Sequence, residues 1–200
     1  MSKTVKYSLT CIFVALLCCF ATGGLQAQHV VVKTNLLSIL SGNYGATAEV
    51  AAGKKISLLL GGNYVDGKQG DDDGISTITQ EKGYNFIPEV RFYFSNRIDG
   101  GNMRGLFAGP TFLYEKLNID ITHQASDSLI TNGSVTNLGY GLVLGHQWIF
   151  SKHFAIELYI NPYYNTAKLS GAVALTNPLQ YEVREGIQFR RIGVALGFAF

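Results

Sequence analysis

Leu138-Gly139-Tyr140-Gly141-Leu142-Val143-Leu144-Gly145-His146-Gln147-Trp148-Ile149-Phe150 decides the fold. Leu138, Tyr140, Leu142, Leu144, His146, Trp148 and Phe150 fall on one face, and Gly139, Gly141, Val143, Gly145 and Gln147 on the other. Period-two alternation between an apolar and a small or polar face is the signature of a strand. Phe154 to Tyr164 repeats it, with Phe154, Ile156, Leu158, Ile160, Pro162 and Tyr164 against Ala155, Glu157, Tyr159, Asn161 and Tyr163. Tyr84 to Phe94 and Ile192 to Phe200 do the same. Weaker alternation marks Val30–Leu37, Tyr44–Ala52, Ile56–Val65 and Leu106–Leu117, for eight candidate strands.

The connections alternate in length. Gly53-Lys54-Lys55 and Ser151-Lys152-His153 are short turns and Asn96–Met103 a moderate one. Asp66–Lys82, Asn118–Val135 and Ala167–Gly186 read as long polar loops, with only Ile39–Asn43 short among them. Tight turns on one rim and long loops on the other are the pattern of a membrane barrel. The predicted fold is therefore all-β: an eight-stranded antiparallel up-and-down transmembrane β-barrel. Pro88 and Pro162 lie inside strands, where a missing N–H predicts a bulge or local break in the ladder.

Composition agrees. The chain of 200 residues is 47% hydrophobic and 15% charged, with 23 Gly. An ordinary soluble domain is roughly 25% charged. Disorder is excluded by the hydrophobicity, and a helical bundle by the cost of so many glycines. Residues 1–27 read as a secretory signal peptide: Lys3 and Lys6, an apolar core from Leu9 to Phe20, then Ala27 at the cleavage point. That core is short of the roughly 20 residues a spanning helix needs. The expected barrel is residues 28–200. Cys11, Cys18 and Cys19 all lie in the leader, so disulfides and thiol chemistry are not expected beyond it. Lys3 and Lys6 also account for the formal charge of +2, leaving a neutral remainder with no nucleic-acid footprint.

A soluble barrel keeps its apolar face inside, and a membrane barrel reverses this. Turned outward in water, the large Phe- and Leu-bearing face would far exceed the apolar patch a soluble protein tolerates. A soluble barrel's lumen built from the opposite face, which carries Gly, Ala, Ser, Asn, Glu and Arg, would also offer no apolar ligand site. The membrane arrangement follows. Phe92, Phe94, Trp148, Phe150, Phe154, Phe198 and Phe200 fall near the short-turn rim, and Tyr44, Tyr64, Tyr84, Tyr114, Tyr140 and Tyr164 towards the long-loop rim, as interfacial girdles require.

The terminal alternation of Ile192, Val194, Leu196, Phe198 and Phe200 resembles the C-terminal signal read by the barrel-assembly machinery. The architecture resembles the OmpX-type barrels and the OmpA transmembrane domain. Val32-Lys33-Thr34-Asn35-Leu36, Gly53-Lys54-Lys55, Ile87-Pro88-Glu89-Val90-Arg91-Phe92-Tyr93 and Gly105-Leu106-Phe107-Ala108-Gly109-Pro110 look like a Bacteroidota barrel family of unknown function. The resemblance implies an outer-membrane location among lipid and lipopolysaccharide, but no chemistry. A peptidoglycan-binding role, which an OmpA-type protein owes to a domain after the barrel, is not implied.

Eight strands leave a lumen that side chains can fill. Its inward set includes Lys33, Glu49, Glu89, Arg91, Glu157 and Arg191, three of each sign, which should pair because unpaired buried charge is costly. Arg91 and Arg191 are each expected to contact one of the three glutamates. A structural plug is the expected role, and a gate admitting small ions the alternative. A lipid-modifying enzyme is a weaker alternative. Ser151-Lys152-His153 has a Ser–His spacing but sits on the inner rim, His146-Gln147-Trp148 lacks the Ser, and His123 lies loosely near Ser126 and Ser128. Asp71-Asp72-Asp73-Gly74 lacks a calcium loop's closing carboxylate. No catalytic residue, cofactor or metal is expected, and no loop ligand is named by the sequence.

Overall fold

A computed structural model describes residues 30–71, 77–94, 103–123, 129–171 and 186–200. The leader, the tips of the long connections and most of Asn96–Met103 lie outside these residues. The strands are β1 (Val30–Asn35), β2 (Asn43–Ala51), β3 (Ile56–Asp71), β4 (Thr77–Tyr93), β5 (Gly105–His123), β6 (Leu129–Phe150), β7 (Phe154–Gly171) and β8 (Gly186–Ala199). Each pairs antiparallel with its sequence neighbour, and β1 pairs with β8 to close the barrel. The predicted eight-stranded meander is thus the observed one.

The bulky even positions face out: Leu142 is 62% exposed, while Val143 beside it is fully buried. Glycines admit the lumen's large side chains. Phe107 lies opposite Gly145, Tyr159 opposite Gly193 and Tyr163 opposite Gly141. A Cβ at Gly145 would lie 2.5 Å from Phe107 Cζ, and one at Gly141 would lie 2.5 Å from Tyr163 Cα. The sequence suggests that Gly141→Ser is mild, because position 141 points into a lumen. The structure corrects this: the neighbouring strand occupies the space a side chain would need.

The long connections also differ from expectation. Most of the residues read as loops continue the strands, and they do so with their polarity reversed. On β5 the outward positions run Leu106, Ala108, Pro110, Phe112 and Tyr114, then change to exposed Lys116, Asn118 and Asp120. Inward, Thr111 and Glu115 give way to buried Leu117 and Ile119. Asp66 beside buried Val65 on β3, and Lys168 beside Leu169 on β7, follow the same reversal. It falls at a belt of outward tyrosines: Tyr44 lies opposite Tyr64, Tyr64 opposite Tyr84, and Tyr140 opposite Tyr164, with Tyr84 and Tyr114 rings 6.3 Å apart. At the other rim Phe92, Phe94, Trp148, Phe150, Phe154, Phe198 and Phe200 are all exposed.

At Asn35 the first strand stops short of the predicted Leu37, because the Asn35 side chain caps a five-residue helix, α1 (Leu36–Leu40), accepting from Leu37 N at 2.9 Å and Ser38 N at 3.3 Å. Pro162 sits at a register shift between β7 and β8. Pro88 breaks the ladder differently. Pairing with β5 lapses between Phe86↔Tyr114 and Glu89↔Thr111 and again before Phe92↔Ala108, where Pro110 faces β4, but the register is the same throughout.

Candidate functional site

β1, β2, β4 and β7 each send ionisable side chains into the lumen near the short-turn rim. Lys33, Glu49, Glu89, Arg91 and Glu157 are each no more than 3% exposed. Arg91 bridges the three carboxylates: to Glu89 at 2.8 Å, to Glu157 at 2.9 Å and to Glu49 at 3.2 Å. Its two terminal nitrogens take both oxygens of Glu157, the bidentate geometry that makes Arg–carboxylate pairs strong. Lys33 closes the circuit by pairing with Glu49 and Glu157. Among the described residues two cations thus serve three carboxylates, and neutral donors also reach them. Tyr93 OH donates to Glu49 at 2.7 Å, Ser57 donates to the same oxygen, and Thr111 donates to Glu89 at 3.4 Å. Gln147 accepts from Lys33 at 2.7 Å and donates to the Met103 carbonyl.

Apolar packing supports the network. Val31, Tyr93, Met103, Phe107, Val143, Ala155 and Ala199 form one buried cluster, and Ile87, Leu113 and Tyr163 a second. The Arg91 guanidinium lies 4.2 Å from the Phe107 ring centroid, so the same ring packs in the cluster and faces the cation. A charge layer with all its members paired is the kind of buried polar network that rigidifies a core.

The structure brings together five of the predicted lumen residues, Lys33, Glu49, Glu89, Arg91 and Glu157, and Arg91 makes its expected contact with all three glutamates. The Arg191 side chain lies outside the described residues. Its backbone is placed on β8 opposite Asn161. Tyr93, Ser57, Thr111 and Gln147 complete the site as well, without a charge that would mark them in the sequence. Alternation had already put Tyr93 and Gln147 on the inward face.

The histidine candidates have other occupations. His153 Nδ1 lies 3.1 Å from the Ala199 carbonyl, and its ring stacks on Phe198 at 5.2 Å. His146 packs on Trp148 at 4.2 Å between ring centroids. The His123 side chain, Ser126, Ser128 and the Asp71–Gly74 carboxylates lie outside the described residues. Among the described residues no cluster of His, Cys, Asp or Glu could hold a metal ion, and no helix is long and apolar enough to cross a membrane.

A family model described as "Protein of unknown function (DUF3575)" matches residues 11–197. No curated protein matches. Among solved structures, CarO of Acinetobacter baumannii is similar over 90% of this chain and 100% of its own, at 13% identity and TM-score 0.48. The N-terminal β-barrel domain of Pseudomonas aeruginosa OprF is similar over 88% and 100%, at 16% identity and TM-score 0.35. A major outer membrane protein from Thermus thermophilus is similar over 86% and 97%, at 11% identity and TM-score 0.44.

Proposed function

The chain belongs to the DUF3575 family, and from that premise we propose that it is a small integral outer-membrane barrel of a Gram-negative cell, plugged in its lumen and acting structurally or through its surface. The paired charge layer carries this reading. Opening a path would require separating Arg91 or Lys33 from carboxylates they hold in a buried site, which is strongly unfavourable. The apolar cluster around Phe107 and Met103 adds a water-excluding layer to the same lumen. Its partners are outer-membrane lipid, including lipopolysaccharide, and the assembly machinery. Recognition by that machinery would rest on Ile192, Val194, Leu196, Phe198 and Phe200, beside the seam where β8 meets β1. No enzymatic role and no cofactor is proposed.

Planar-bilayer recording tests the plug. The parent barrel is expected to give no steady conductance above the bare bilayer. Stable, ohmic single-channel steps from pure parent protein would replace the plug with the channel reading.

A further inference from the structure

The polarity reversal at the tyrosine belt fixes where the outer headgroup layer meets the wall. Below the belt the outward face is apolar, as acyl chains require. Above it that face is polar, as water requires. Three lysines lie on the outward face just past this line: Lys82 on β4, Lys116 on β5 and Lys168 on β7, all exposed. Lys116 lies directly opposite Tyr84, a belt member, and also opposite Thr136, which in turn lies opposite Lys168. Strand spacing places Lys116 and Lys168 about 10 Å apart across Thr136. Lys82 pairs with Asn118, two residues beyond Lys116, a diagonal separation of about 7–8 Å.

Ion pairs do not account for the row. The ion pairs of the lumen network include none of these lysines. Asp66 lies across from Lys82 and Asp120 lies diagonal to it, whereas among the described residues the cross-strand neighbours of Lys116 and Lys168 are the neutral Tyr84 and Thr136. Clustered cations that no described ion pair neutralises, held at headgroup height, are complementary to an anion carried by the lipid itself.

We infer that Lys82, Lys116 and Lys168 form a binding site for the phosphate of a phosphorylated glycolipid headgroup in the outer leaflet. The inference rests on the membrane reading above and adds to it a ligand class and the residues that hold it. The lipid's acyl chains would lie against the Leu, Phe and Tyr positions directly below, Phe112, Tyr114, Tyr140 and Tyr164 among them, so one molecule would satisfy both zones of the wall.

Native mass spectrometry of the full barrel tests this, from a zwitterionic detergent with added lipid A that either carries its phosphates or has been stripped of them. The parent is expected to retain the phosphorylated form and to release the stripped one. A cation near an anionic lipid surface contributes about fivefold per lysine, so the Lys116→Gln/Lys168→Gln variant should lose roughly twenty-five-fold in retention. Lys116→Gln alone should lose about fivefold, and it serves should the double variant fail to fold. Lys54→Gln/Lys55→Gln, at the opposite rim, should change nothing. Inorganic phosphate alone should not be retained, which separates a lipid site from a free-phosphate site. Equal retention of both lipid forms, or undiminished retention by the lysine variants, would overturn the site. Because the readout is taken in detergent, it is independent of cell fractionation. Recovery of the protein from another compartment would instead defeat the outer-membrane reading.

Discussion

Arg91→Ala should destabilise the barrel by roughly 3–5 kcal/mol, measured by urea unfolding of the refolded protein in micelles. The guanidinium is 2% exposed and pairs with Glu49, Glu89 and Glu157. Removing it leaves three carboxylates buried with Lys33 as the one remaining described cation among them. Two of these, Glu49 and Glu157, then share that ammonium, and Glu89 loses the guanidinium that bound it at 2.8 Å. The same variant loses the ring contact with Phe107, and with it part of the packing beneath the charge layer. A leak should accompany the loss of stability, because water entering to solvate the carboxylates would open the layer. Arg91→Lys keeps the charge but not the bidentate fork, and should fall between parent and Arg91→Ala. A loss below about 1 kcal/mol would mean the lumen is wet and the network is an exposed one.

Leu142→Arg should cost about 2–4 kcal/mol, the depth-dependent penalty for a cation on a barrel's lipid face. Leu142 is 62% exposed and makes none of the buried contacts that normally explain a destabilising change. On a water-soluble barrel such a substitution would fall within about 0.5 kcal/mol of neutral. The expected loss therefore comes entirely from the lipid. Lys168→Arg, an outward change above the tyrosine belt, should be neutral in the same unfolding assay. Equal, small effects at both positions would remove the lipid from the account.

The alternation between Leu138 and Phe150 was enough to read β6 correctly to its inner end, since one face of that stretch is apolar without interruption. On β5 a continuous apolar face predicts an end at Leu117, although alternation persists: Lys116, Asn118 and Asp120 against Leu117, Ile119 and Ile121. The pattern changes phase there. A strand that crosses from lipid to water turns its apolar side from out to in, and a search for one continuous apolar face reads the crossing as a loop. The α1 turn was hidden for another reason. Asn35 fits a strand by position, and only its capping bonds to Leu37 and Ser38 reveal the change.

The charged members of the lumen site were legible because residue parity alone puts Lys33, Glu49, Glu89, Arg91 and Glu157 inside, and Coulomb cost then demands that they pair. Which cation meets which carboxylate was not legible, since it depends on the stagger of strands around the closed barrel. Nor was the role of Tyr93, Ser57 and Gln147, whose hydroxyls and amide complete the network without any charge to mark them. The same limit explains Gly141: parity shows the direction of a side chain there, but not how closely β7 approaches.

Spin-label accessibility along β5 tests the central claim, a wall that faces lipid below the tyrosine belt and water above it. Residues 28–200 contain no cysteine, so single cysteines at Leu106, Phe112, Asn118 and Asp120 report without background. Reconstituted in bilayers, labels at Leu106 and Phe112 should relax with oxygen and be shielded from a water-soluble nickel chelate, and labels at Asn118 and Asp120 should show the reverse. Equal access of the chelate to Phe112 and Asn118 would contradict the account.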